Sequence, residues 1–329
     1  MTYKERQKDV QEALFDHSQL GGKFKGKYHP SYDRFILKNY KDNFIEQVCY
    51  DDVIKYFDKN GIGWWNGDVP TTHTLSSQIA CINHLFPLRK NRDAVLALAK
   101  SIDPEFESVE ILENDKEKDG YISFEVVSTT DHLNEKRGQD NLKRGALCTS
   151  IDAVILAKKK GKRVMLTIEW KYVESYGNED KSQNVANGRT SGDTRLRRYS
   201  DLLKQSKQLK SVDNYRGSVY FFEPFYQLMR QTLWAEQMVK HKNNEVIKAD
   251  DYVHVHVVPT GNNELLHKKY PCSGGKDMLT TWKGQLKNPN KYVLISPAEL
   301  FSKLPCDDWK ELICTLKKRY WQQVSSHNI

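Results

Sequence analysis

Ser150-Ile151-Asp152-Ala153-Val154-Ile155-Leu156-Ala157 is followed by Lys158-Lys159-Lys160-Gly161-Lys162-Arg163. Then comes Val164-Met165-Leu166-Thr167-Ile168-Glu169-Trp170-Lys171-Tyr172. Two apolar runs flank a polar turn that holds one glycine, a pattern that predicts a β-hairpin. The first run is apolar on both faces except at Asp152. The second stays apolar until Glu169 and Lys171. Residues two apart on a strand share a face, so these two project together, roughly 7 Å apart. A hairpin centred on Gly161 pairs the start of the first run with the end of the second, bringing Asp152 beside Glu169. Two carboxylates and an ammonium then meet at one edge of a buried sheet.

The flanking sequence extends this unit. Tyr121 to Val127 has strand character, and its Glu125 faces either the site or solvent. Phe221 to Val239 is the clearest helix, with Pro224 in its first turn and Phe222, Tyr226, Met229 and Leu233 as a core-facing stripe. Tyr252 to Val258 is a strand closed by Pro259. Its His254 and His256 share a face but have no third ligand at metal spacing, so zinc is not expected. Upstream, Thr74 to Gln78 opens a helix that runs through Ile79, Ile82 and Leu85 and stops at Pro87. Gln78 lies in its first turn, where it either faces the strand ends or serves as a capping amide.

Further helices are expected over 1–17, over 42–59 with a stop at Asn60-Gly61, over 91–101 and over 308–323. Ser296-Pro297-Ala298-Glu299 reads as a capping box with proline at the first helical position. Leu20 to Lys27 reads as a loop, and Asp131 to Ala146 as a polar loop with a short helix. Gly61 to Gly67 is an aromatic loop whose Trp64 and Trp65 are expected in the core rather than stacked on bases. The polar stretch from Glu174 to Lys210 carries Arg189, Arg195, Arg197 and Arg198, with a helix over about 193–209. Its basic face is either solvated or in contact with phosphate.

With 329 residues the chain can bury a sizeable core. A net charge of +8 permits a polyanionic partner without requiring one. Met1-Thr2-Tyr3-Lys4-Glu5 opens without an apolar signal region, and no apolar run is long enough to span a bilayer. The six cysteines are scattered, without Cys-x-x-Cys, which favours reduced thiols in a cytoplasmic protein. One domain over 1–329 is expected: a helical part over 1–70, an α/β core over 71–260 and a helical part over 261–329.

Paired carboxylates at strand ends suit a hard cation. Magnesium takes carboxylate oxygens and keeps several waters. Asp152 and Glu169 supply two such ligands, and a phosphodiester oxygen can complete the shell. Lys171 beside them can orient the attacking water or hold charge on phosphorus. An ion-paired strand edge with no chemistry is the plainer alternative.

The arrangement resembles the PD-(D/E)XK nuclease superfamily, whose core runs helix–strand–strand–strand–helix–strand. Ile151-Asp152 and Glu169-Trp170-Lys171 match its motif, with Ile151 standing where the superfamily has proline. Five stretches are similar to a bacterial restriction-endonuclease-like family: Tyr56 to Trp65, Leu75 to Asn83, Cys148 to Ala153, Glu169 to Tyr172 and Glu223 to Gln231. The resemblance implies an α/β restriction-endonuclease-like fold with a central mixed sheet of about four strands flanked by helices. It implies a Mg²⁺-dependent deoxyribonuclease of restriction or defence type, with Mn²⁺ as a substitute. Asp152, Glu169, Lys171 and Gln78 would be catalytic, with Asp152 and Glu169 on the metal. Gln78 stands where many members have a glutamate, so one metal is expected. Glu125, Arg195, Arg197, Arg198 and Arg230 are candidate site or DNA-contacting residues. DNA is the expected partner, RNA stays open, and a homodimer is compatible with one site per chain. A non-cleaving binding module and a subunit that needs a partner are the alternatives.

Overall fold

The computed structural model describes residues 1–23, 32–65, 67–136, 142, 144, 148–184 and 191–322. The chain begins with α1 (Tyr3–Leu14), followed by β1 (Leu20–Lys23), β2 (Tyr32–Leu37), α2 (Tyr50–Asn60), α3 (Ser77–Leu85) and α4 (Arg92–Ile102). Then come β3 (Ser108–Glu110), β4 (Ser123–Val126), β5 (Ile151–Lys159), β6 (Lys162–Trp170), α5 (Ser191–Gln205) and α6 (Phe225–Lys240). The chain continues through β7 (Asp251–Val257), α7 (Asn263–Leu266), α8 (Met278–Gln285), β8 (Tyr292–Ile295), α9 (Pro297–Leu300) and α10 (Lys310–Tyr320).

The hairpin forms where the sequence places it. Lys160 and Gly161 both take positive φ, 51° and 74°, as the tight two-residue turn of a right-twisted hairpin requires. The register then runs from Lys159 opposite Lys162 to Ala153 opposite Ile168. The next rung of the same register sets Asp152 across from Glu169. β4 is antiparallel to β5, with Phe124 opposite Ala153 and Val126 opposite Ile151, so Glu125 is the cross-strand neighbour of Asp152. On the other side β6 is parallel to β7, with Glu169 opposite His256, and β7 is parallel to β8. Parallel pairing needs a crossover, which α5 and α6 supply between β6 and β7, and α7 and α8 between β7 and β8.

The central sheet is thus mixed and flanked by helices. Among the described residues it has six strands rather than about four. The surplus comes from β3, three residues long, and from β8, four residues long. Neither run is long enough to display a period. Alternate residues of β5 and β6 enter two separate cores. Ala153, Ile155, Leu166 and Ile168 pack with Ile79, Ala80 and Ile82 of α3. Val154, Leu156 and Met165 pack with Phe225, Met229 and Leu233 of α6. Burial on both faces explains why the two strands read as nearly continuous apolar runs. Each fully buried aliphatic side chain here contributes roughly 1.5–3 kcal/mol.

Several other expectations need correction. Leu20–Lys23 is a strand paired with β2, not a loop. The span 42–59 is not one helix: a 3-10 turn at Tyr40–Asn43 and an irregular segment precede α2. Asn43 explains the break, because its buried amide donates to the carbonyls of Thr71 and His73. Gly61 ends α2 in the left-handed conformation, φ 62°. The capping box at Ser296 and Glu299 is formed. Parts of the Asp131–Ala146 loop, Arg189 and the end of the 308–323 helix lie outside the described residues.

Candidate active site

Glu125, Asp152 and Glu169 are successive rungs across three adjacent strands, and all three line a cleft of about 600 Å³. Lys171, Gln78, Trp65, Arg230, Gln227 and Gln231 line it too. The cleft floor is the carboxylate row, and α3 and α6 border it from opposite faces of the sheet.

Glu169 is almost fully buried, 1% exposed. Its Oε1 lies 2.5 Å from the Lys171 ammonium. Gln227 of α6 bridges this pair: its amide donates to Glu169 Oε1 at 2.6 Å, and its carbonyl accepts from Lys171 Nζ at 2.7 Å. Gln231, one turn further along α6, donates to Glu169 Oε2. The other amide atom of Gln231, its Oε1, is buried without a partner among the described residues. Burial alone would lower the Lys171 pKa, but Glu169 and the other anions around it hold the ammonium well above its ordinary value.

Asp152 accepts from the Trp170 backbone N–H at 2.7 Å. Its carboxyl is pushed well above the usual range by burial, then by the charges of Glu169 and Glu125, with Lys171 opposing. Glu125 is raised as well, chiefly by burial. Two donors hold its carboxylate, the Gln78 amide at 2.9 Å and the Ser150 hydroxyl at 2.9 Å. Burial pushes up the Cys81 thiol of α3, and the charges of all three acids add to it.

Glu125 has φ 48°, a conformation that costs a non-glycine residue about 1–3 kcal/mol. Arg144 braces the backbone there. Its Nε donates to the Glu125 carbonyl at 3.2 Å, and its terminal nitrogens reach Asp115 at 3.0 Å and Ser123 at 3.0 Å. Strain of this kind persists where surrounding contacts over-determine it, as they do here.

Gln78 lines the cleft but does not contact Asp152 or Glu169. Its carbonyl accepts from the Trp65 N–H at 3.1 Å, and its amide holds Glu125. Arg230 ion-pairs with buried Glu135 at 3.1 Å and donates to Thr149 at 3.1 Å. Arg195 donates to the Lys181 carbonyl at 2.9 Å, over the Tyr226 ring. Arg195, Arg197 and Arg198 sit on α5 and are not among the residues that line the cleft.

Gln227, Gln231 and Ser150 were not singled out from the sequence. Gln227 and Gln231 are one turn apart on α6, and that polar i, i+4 pair was the available signal. His254 and His256 are buried in β7, and burial lowers both, His254 to about 3. Among the described residues no group of three or more His, Cys, Asp or Glu is disposed as a ready-made metal cage.

A central mixed sheet flanked by helices is the architecture of a restriction-endonuclease-like core. The chain belongs to the family described as restriction endonuclease associating with ARP, whose profile matches residues 5–321. No curated protein and no solved structure matches it. No helix among the described residues is long and apolar enough to cross a membrane.

Proposed function

We propose that this protein is a metal-dependent endonuclease that hydrolyses phosphodiester bonds in DNA, of the PD-(D/E)XK type and acting in restriction or defence. The observation that carries this reading is the charge balance of the carboxylate row. Of the three neighbouring carboxylates only Glu169 has an ion-pair partner, Lys171, and burial, then mutual repulsion, raises the other two. A divalent cation would relieve that repulsion. Magnesium needs only one or two protein carboxylates, so the lack of a larger cage does not count against it.

Asp152 and Glu169 would hold the metal, with Glu125 as a neighbouring anion and Mn²⁺ as a substitute. When bound, the metal supplies Lewis acidity and neutralises charge on the phosphate. The chain's own groups do the rest. The Trp170 N–H fixes the Asp152 carboxylate, and Gln227 and Gln231 fix that of Glu169. Lys171, kept charged by Glu169, places a fixed cation where negative charge develops on the phosphate oxygens. Its partner Gln227 keeps the ammonium from swinging away.

The test is a cleavage assay on supercoiled plasmid, linear duplex, single-stranded DNA and RNA, with Mg²⁺, Mn²⁺ or chelator. Wild type should cut DNA only with the divalent ion. Glu169→Ala and Lys171→Ala should each lose roughly a thousandfold or more, about 4 kcal/mol of barrier. Variants that cut as fast as wild type would sink the assignment. The family's description, an endonuclease associating with ARP, favours a second reading in which cleavage needs a partner. Cleavage that appears only after cell lysate is added would select it.

A further inference from the structure

Trp64 and Trp65 are adjacent in sequence, and the fold treats them oppositely. Trp64 is buried and stacks on Phe57, ring centroids 4.0 Å apart and planes 9° from parallel. Trp65 is 56% exposed. Among the described residues the other exposed large hydrophobics, Met1, Leu14, Val69, Ile111 and Val246, are aliphatic or terminal. Burying an indole removes about 150–250 Å² from water, so the fold forgoes much of that stabilisation at Trp65.

The position of Trp65 is fixed rather than incidental. A bridge between Trp64 and Gly67 closes the turn that carries it. Its backbone N–H is held by Gln78 Oε1, and the same amide holds Glu125, the cross-strand neighbour of Asp152. One glutamine side chain therefore ties the indole to the carboxylate row. Trp65 borders the cleft together with two basic residues, Lys4 and Arg230, the latter paired with Glu135.

We infer that Trp65 is a stacking platform for an unpaired nucleobase of DNA bound in this cleft, an inference that rests on the DNA-cleaving reading above. Cations track a phosphate backbone, whereas an exposed indole offers a π-face that any base can cover. A base inside an intact duplex has both faces covered by its neighbours. The base that reaches Trp65 is therefore single-stranded, frayed or turned out of the helix. Trp65 would set which strand state the cleft prefers, and Gln78 is its positioning residue.

The test measures binding in chelator, where no cleavage occurs. Labelled single-stranded and fully paired oligonucleotides are titrated against wild type, Trp65→Phe, Trp65→Ala and the remote control Val246→Ala. Trp65→Ala should weaken single-strand binding between about 5- and 150-fold. Trp65→Phe should recover most of that loss, and Val246→Ala should match wild type. Intrinsic tryptophan fluorescence should be quenched by single strands in wild type and much less in Trp65→Phe. Single-strand binding by Trp65→Ala as tight as wild type, or undiminished quenching in Trp65→Phe, would overturn the inference alone. Wild type that binds no DNA in any arm would overturn the nuclease reading and this inference with it.

Discussion

Two buried clusters of charge lie on either side of β4, and they are balanced in opposite ways. At Asp115, whose side chain is fully buried, Arg144 approaches to 3.0 Å and Arg89 to 3.7 Å. The Tyr56 hydroxyl donates to it at 2.7 Å and the Ser123 hydroxyl at 2.7 Å. Arg89 also meets Glu117 and Asp119 and lies over the Tyr56 ring. Cations and donors there answer the anions. At Asp152 three carboxylates share one ion-paired ammonium, and burial first, then their mutual repulsion, raises the proton affinity of Asp152 and Glu125. The first cluster ties β4 to α2 and to the turn that follows α3. The second holds more carboxyl groups than ion-paired cations. Arg144 joins the two, since it both serves Asp115 and braces the strained backbone of Glu125.

Removing an anion from each cluster should therefore have opposite effects. Asp115→Ala leaves Arg89 and Arg144 buried without their shared partner and should destabilise by about 3 kcal/mol. Asp119 stays within 3.3 Å of Arg89, which keeps the loss at the low end of what a broken buried pair costs. Denaturant unfolding checks it, and unchanged stability would mean that the balanced cluster is not structural. Next in size is Gln227→Ala, which removes the bridge between Glu169 and Lys171. Cleavage should fall about 10–100-fold in kcat with KM little changed, as for other groups that orient ligating side chains.

Asp152→Asn should abolish cleavage yet raise stability by about 1 kcal/mol, or about 2 °C in Tm, because one repelling charge is gone and the Trp170 hydrogen bond survives. A lower Tm would remove the case for like-charge strain. The smallest effect is on pH. A carboxyl whose folded pKa is raised contributes stability that is full below its unfolded pKa and lost as pH rises through the folded value. His84, His254 and His256, all lowered by burial, work the other way: they add stability as pH rises through about 6.5, the unfolded imidazole value. Asp152→Asn keeps those histidines, so the Tm of the chelated wild type relative to that of Asp152→Asn should fall as pH rises above the ordinary carboxyl range of about 4. Thermal scans of the two proteins decide it.

The hairpin was legible because nothing local competes with it. Two apolar runs flank a lysine-glycine turn, and the acid pair followed from counting. β1 was not legible: Gly21, Gly22 and Lys23 have little strand propensity, and pairing with β2 overrides it. Phe44, Ile45 and Val48 have helical spacing, yet they are buried in an irregular segment. Asp152, Glu169 and Lys171 could be placed together because strand alternation alone relates them. The orientation of Glu125 depends on a positive φ that no residue near it announces. Gln227 and Gln231 looked like gaps in an apolar stripe. Helical periodicity says which face is buried, not which strand end that face crosses. Trp64 and Trp65 formed one aromatic pair in sequence, and only the stack on Phe57 separates their fates.

The turn at Lys160 and Gly161 is exposed and lies at the far end of the hairpin from the acids, about 23 Å away at roughly 3.3 Å per residue. It nevertheless acts as the ruler of the chemistry. Every rung between Lys159 and Ala153 inherits its offset from that turn. A slip of one residue would send Glu169 to the opposite side of the sheet and leave Asp152 facing a hydrophobic neighbour. A harmless-looking change on this remote surface, such as one that denies Gly161 its positive φ, would thus be felt as a loss of catalysis by a protein whose active-site residues are all still present.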